Sequence, residues 1–268
     1  MESTQINGLR LVYHLHDSEA VPPVRQACQR SIELIRASWG LEAPQDCRVY
    51  LMTSLLGFTF DSAPWPWKVL LALSLPLWYP RQARLWSAAG GYAQRYGRRY
   101  VVGVKPPHLI QTGSRALGDK IFIRENDPIM KIQSITCHEL THAFSAHLQL
   151  PPWLKEGLAM VTVDRFFEKP TVLPETLGAL ARLPRQEDFE GSQAARIGSE
   201  DALIQQYIFG YWVTRYLEST RPGILKELLA RGLPSRQIEG EIAAVYDLDQ
   251  SDLQGKLSAL IISHFSQD

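Results

Sequence analysis

His138-Glu139-Leu140-Thr141-His142 puts two imidazoles four residues apart with a carboxylate between them. Fourteen residues after His142, the run Trp153-Leu154-Lys155-Glu156-Gly157-Leu158-Ala159 supplies another carboxylate, Glu156. On a helix, positions i and i+4 are neighbours on one face, so both histidines can reach one cation. A glutamate brought in by a second helix can complete a three-ligand catalytic zinc site with its fourth position open.

This chemistry requires a helix whose packing stripe and ligand stripe are distinct. On a wheel at about 100° per residue with Cys137 at the origin, Leu140, Phe144 and Leu148 fall within about 60° of Cys137. His138 and His142 lie near 100° and 140°, with Glu139 beside them near 200°. Cys137 adjoins a candidate ligand but points into the apolar stripe, so it reads as a small buried hydrophobe.

The elements around this helix follow from period and punctuation. Leu9 to Leu15 and Arg48 to Thr53 read as strands, and Val21 to Trp39 as a helix stopped by Gly40. Tyr100 to Val104 and Lys120 to Arg124 (K-I-F-I-R) read as further strands, the latter as a substrate-aligning edge. Asp127-Pro128 opens the H-E-x-x-H helix, which should run to about Leu148, and Leu154 to Phe167 follows as another. Leu203 to Leu217 has a strong 3.6-residue apolar period, with shorter helices at Ile224 to Leu229 and Leu253 to Phe265. Gly210 costs that helix about 1 kcal/mol relative to alanine, and lets it approach another helix closely. Strands before residue 125 and helices after it argue α+β. The expectation is an N-terminal α+β part (1–125) carrying an apolar insertion at about 57–118, and a helical zinc-binding part (126–268). Together they form one compact catalytic unit.

Composition narrows the class. The 28 basic residues balance the 28 acidic ones, which gives no electrostatic reason to expect a nucleic-acid partner. Three widely spaced cysteines (28, 47 and 137) do not make a disulfide framework. With no secretory pattern in the given chain, they point to a cytoplasmic, reducing compartment. Trp65 to Tyr79 is apolar and bracketed by tryptophans, with prolines at 66 and 76. It is shorter than the roughly 20 residues a spanning helix needs. Its two readings are a helix at least partly buried and an interfacial element giving peripheral membrane contact.

The chain resembles the zincin metallopeptidases, in particular the gluzincin branch and short bacterial proteins of the peptidase MA-like type. The likeness rests on His138 to Ala143, on Pro152, Trp153, Leu154, Glu156, Gly157, Leu158 and Ala159, and on Tyr207 to Leu217, and it covers roughly residues 120–230. It implies a zincin-like fold, a small mixed sheet with an active-site helix, and a helical C-terminal subdomain that closes a cleft. It further implies Zn2+ held by His138, His142 and Glu156, with Glu139 as general base and Tyr207 as hydrogen-bond donor to the oxyanion. A packed core tyrosine is the alternative reading of position 207, and Tyr211 an alternative donor. The substrate would be a peptide or protein. The metzincin pattern is not met, because Ser145 and Leu148 stand where it needs glycine and histidine. His147 lies about 160° around the helix from the ligand pair. Two rival classes keep the same residues: a catalytically idle or regulatory metal-binding domain, and a membrane-surface protein anchored through Trp65–Tyr79. Arg98-Arg99 could contact phosphate or lipid, or form a solvated turn.

Overall fold

The computed structural model describes residues 1–110, 118–182 and 200–266. They form an α+β structure in two compact units. The first comprises residues 1–37, 42–110 and 124–146, the second residues 38–41, 118–123, 147–182 and 200–266. Part of the expected insertion, 111–117, lies outside the described residues.

The first unit is built on a mixed five-stranded sheet in the order β1-β2-β3-β5-β4. Here β1 is Glu2–Ile6, β2 Leu9–Tyr13, β3 Asp46–Leu51, β4 Gly91–Tyr96 and β5 Arg99–Val104. The strands β2, β3 and β5 run parallel, flanked by antiparallel β1 and β4. A parallel pair needs a crossover, and α1 (Val21–Trp39) supplies it between β2 and β3. Tyr100 to Val104 of β5 are buried without interruption, as a central strand covered on both faces must be. Each antiparallel flank closes through a two-residue turn. Asn7 and Gly8 both have positive φ, 44° and 89°, as a type I′ hairpin requires. That Asn-Gly pair was a legible hairpin signal, and reading only Leu9 onward as strand missed β1.

Between β3 and β5 the chain forms α2 (Leu55–Ser62), α3 (Trp65–Leu73), α4 (Leu75–Ala88) and β4, then after β5 a short turn α5 (Pro107–Ile110). Ser54 caps α2, its hydroxyl accepting from Gly57 N–H at 3.1 Å. The Trp65–Tyr79 segment is buried only in part: no residue of α3 is fully buried, while Leu71, Leu75 and Trp78 are half-buried and Leu71 packs against the core. Arg99 is committed to structure, donating to Asp46 Oδ2 at 2.9 Å and Ser62 O at 3.3 Å, while Arg98 is exposed. The unit ends in α7 (Pro128–Ser145), which packs on β4 and β5.

In the second unit a short helix, α6 (Gly118–Ile121), stands where the sequence suggested a strand. The K-I-F-I-R alternation yields one isolated bridge, Phe122 to Val172, with Ile123 N–H donating to Thr171 O and Leu173 N–H to Ile121 O. Pro170 and Pro174 flank the partner segment and lack the donors a longer ladder would need, so Lys120–Arg124 is no sheet edge. Helix α8 (Pro152–Phe167) packs along α10 (Glu200–Thr220), after the short α9 (Thr176–Ala179). The series closes with α11 (Ile224–Ala230), α12 (Ser235–Val245) and α13 (Leu253–Phe265), α12 having gone unread in the sequence. A Cβ on Gly157 of α8 would collide with the carbonyl oxygen of Gly210 on α10, and one on Gly210 with that of Trp153. The close approach expected at Gly210 is thus a backbone-to-backbone contact.

Candidate metal centre

Helix α7 starts as its sequence dictates. Asp127 caps it, Oδ1 accepting from Ile129 N–H at 2.8 Å, and Pro128 sits where no amide donor is needed. Ile132, Cys137, Leu140 and Phe144 are fully buried, while His138, Glu139 and His142 are half-buried on another face. The two stripes read from the wheel are therefore the two faces of the folded helix. The helix ends at Ser145, one turn short of Leu148, and leaves His147 exposed. Cys137 is a free, buried thiol whose pKa burial pushes up to about 12, in keeping with a packing role.

The histidine Nε2 atoms are 3.0 Å apart, with ring centroids at 4.6 Å and planes at 83°. Two nitrogens on one tetrahedral zinc stand about 3.3 Å apart, given Zn–N near 2.05 Å. The spacing therefore suits a shared cation, and it also suits a neutral imidazole N–H···N hydrogen bond. Glu156 adds a third donor to the pair. One ligand atom from each of His138, His142 and Glu156 lies within 4.8 Å of the other two. Glu156 Oε2 is buried from solvent. Two imidazoles and a carboxylate so grouped fit the donor set of a divalent metal, so these residues can hold one.

Glu139 lies against a glycine pair at the start of β4. Helix α7 meets the start of β4 at Gly90-Gly91. A Cβ at Gly91 would sit 2.6 Å from Glu139 Cγ and 2.9 Å from its Oε1, and one at Gly90 would sit 2.5 Å from Ile135 Cδ1. A side chain at either position would require the Glu139 or Ile135 side chain to shift. The next residue, Tyr92, has a phenol held well above the usual tyrosine range, by burial first and then by the charge of Glu139. Among the described residues its buried hydroxyl has no hydrogen-bond partner, and its ring stacks on Trp86 at 5.8 Å. The Gly-Gly pair before an alternating Tyr-Ala-Gln-Arg-Tyr was the available signal.

The tyrosines of α10 have different surroundings. Tyr207 is half-buried, its ring edge-on to Phe122 at 6.2 Å. Tyr211 is fully buried, donates to Asp164 Oδ2 at 2.7 Å and accepts from Arg215 at 3.1 Å. Its hydroxyl is spent, which removes it as an alternative donor. Asp164 also accepts from Thr171 N–H and Oγ1, both at 2.7 Å, and burial raises its pKa despite these bonds. On the same α8, Trp153 donates its indole N–H to Glu239 Oε1 at 3.1 Å and meets Phe209 edge-on at 5.5 Å. These contacts brace the first turn of the helix that carries Glu156. No protein-family model matches this chain, and no curated protein matches it.

Proposed function

We propose that this chain is a zinc-dependent peptidase of the gluzincin type on a zincin-like fold, working in a reducing, cytoplasmic compartment. The observation that carries the proposal is the grouping of the His138, His142 and Glu156 ligand atoms within 4.8 Å of one another. When bound, the cation supplies a ligated water of lowered pKa and a polarised substrate carbonyl. Glu139 accepts the proton of the attacking water and passes it to the departing amine. Tyr207 donates to the oxygen that becomes negative in the tetrahedral intermediate. A peptide or protein substrate lies extended along the outer edge of β4, adding one strand to the sheet. Two features support that placement: β4 is a terminal strand, and its first residue abuts Glu139. β4 takes the part that the sequence suggested for Lys120–Arg124.

The test is metal analysis of the purified protein beside cleavage of a peptide library. Wild type should carry one zinc per chain and cleave, with cleavage abolished by chelator. His142→Ala should lose the metal, and Glu156→Ala should bind it more weakly. Glu139→Gln should keep zinc and lose about 10²–10⁴-fold in rate, the span of general-base catalysis. Stoichiometric zinc in both ligand variants refutes the site. Full zinc in a wild type that cleaves nothing leaves a metal-binding domain without catalysis.

A further inference from the structure

The helical hairpin α3–α4 has an apolar face left exposed among the described residues. Trp65 is 75% exposed, Leu70 55%, Leu73 79% and Leu77 86%, in a stretch where a monomer would ordinarily hide such groups. The hairpin is nonetheless anchored from behind. Leu71 and Trp86 pack against the cluster of Val12, Tyr50, Met52, Phe58 and Val101, and Trp67 meets Tyr96 at 5.7 Å. Trp78 Nε1 donates to Leu71 O at 3.0 Å, closing α4 back on α3. The helices part at Ser74, whose φ and ψ of −92° and 4° leave the helical region and whose hydroxyl donates to Leu70 O at 2.7 Å. The outward leucines therefore project from a fixed support.

Along the sequence, charge in this segment is one-sided. The whole chain balances 28 cations against 28 anions, yet no aspartate or glutamate occurs between Asp61 and Asp119. Residues 62–110 carry Lys68, Arg81, Arg84, Arg95, Arg98, Arg99 and Lys105. Two of these are internal: Arg99 pairs with Asp46, and Lys105 lies over the Trp86 ring while donating to Trp86 O. The other five have no acidic residue near them in sequence.

We propose that the α3–α4 hairpin docks this protein on the surface of an anionic lipid bilayer, independently of the metal chemistry. Nine residues of helix rise only about 13 Å, and no described helix is long and apolar enough to cross a membrane. The hairpin must then lie in the boundary layer, where an apolar face sinks roughly 5–10 Å and tryptophans settle at headgroup level. The chemistry of the face favours lipid over a protein partner. A protein interface carries about one hydrogen bond per 100–200 Å². From Trp65 to Leu77 the side chains offer only Lys68, Ser74 and the indoles of Trp65 and Trp67, and Ser74 has already spent its donor. Hydrocarbon asks for no such bonds, and phosphate headgroups complement a stretch of chain that carries basic residues and no acids.

The 268-residue chain should be floated with vesicles of phosphatidylcholine alone and with 30% phosphatidylglycerol. Wild type is expected to float with the anionic vesicles, at least about tenfold more weakly with the neutral ones, and to detach as salt rises. Leu73→Asp/Leu77→Asp changes only exposed side chains, so folding and zinc content should hold while vesicle binding drops at least about tenfold. Lys68→Glu/Arg81→Glu should remove the preference for anionic lipid. No flotation by wild type, or equal flotation by the aspartate variant, overturns the proposal. So does a wild-type dimer in sedimentation, lost in that variant, without vesicle binding; it would assign the face to self-association.

Discussion

Helices α7 and α3 belong to the same unit and are both rich in apolar residues, yet their apolar side chains end in opposite places. On α7, Ile132, Leu140 and Phe144 are fully buried. On α3, Trp65, Leu70 and Leu73 are among the most exposed large side chains of the chain. The difference lies in patterning. Helix α7 separates an apolar stripe from a polar one, so its sequence states which way it faces. Helix α3 (W-P-W-K-V-L-L-A-L) has a single charged residue and no polar stripe, so composition promises burial without naming a face. Hydrophobicity sets the wish to leave water; periodicity decides whether the fold can grant it.

Several substitutions test this contrast, beginning with the largest effect. Phe144→Ala removes a fully buried ring from α7 and should cost about 3–5 kcal/mol in denaturant unfolding. A loss under about 1 kcal/mol would mean the stripe is not core. Next is Gly91→Ala, which places a methyl group against Glu139 Cγ. Displacing a reacting group by about 1 Å can cost 10²-fold, so kcat for peptide cleavage should fall by up to about that factor with zinc content unchanged. Equal kcat in variant and wild type would show that Glu139 does not depend on the glycine. Gly157→Ala overpacks a backbone contact and should destabilise by about 1–3 kcal/mol, read as a lower Tm. An unshifted Tm would show that the helices can part without penalty. Smallest of all, Leu73→Ala on the exposed face should stay within about 0.5 kcal/mol of wild type. A cost near that of Phe144→Ala would break the comparison, because it would place α3 in a core.

What could be read from the letters divides along the same line. The ligand pair, its helix, the second helix with Glu156 and the close approach at Gly210 all announced themselves by spacing or by a single unusual residue. Strand β4 did not, because its alternation begins with two glycines and sits in a segment with no other regular period. Tyr92 and Gly91 went unread with it, although they flank Glu139. Lys120–Arg124 failed in the opposite sense: the alternation was present, but a strand exists only with a partner, and the partner around Val172 is curtailed by Pro170 and Pro174. The exposure of α3 lay beyond any local pattern, since it depends on what the rest of the chain leaves uncovered.

The contact between Gly157 and Gly210 bears on how this sequence can change over generations. Where two helices touch through side chains, each replacement in the core resets their spacing. Here the peptide groups themselves are the gauge. Leu154, Leu158, Val213 and Leu217 can exchange with other apolar residues of similar volume without moving the two backbones relative to each other. Positions 157 and 210 admit nothing larger than glycine. Glu156, one residue from the gauge, inherits this insulation, so the surrounding core can drift while the carboxylate holds its position.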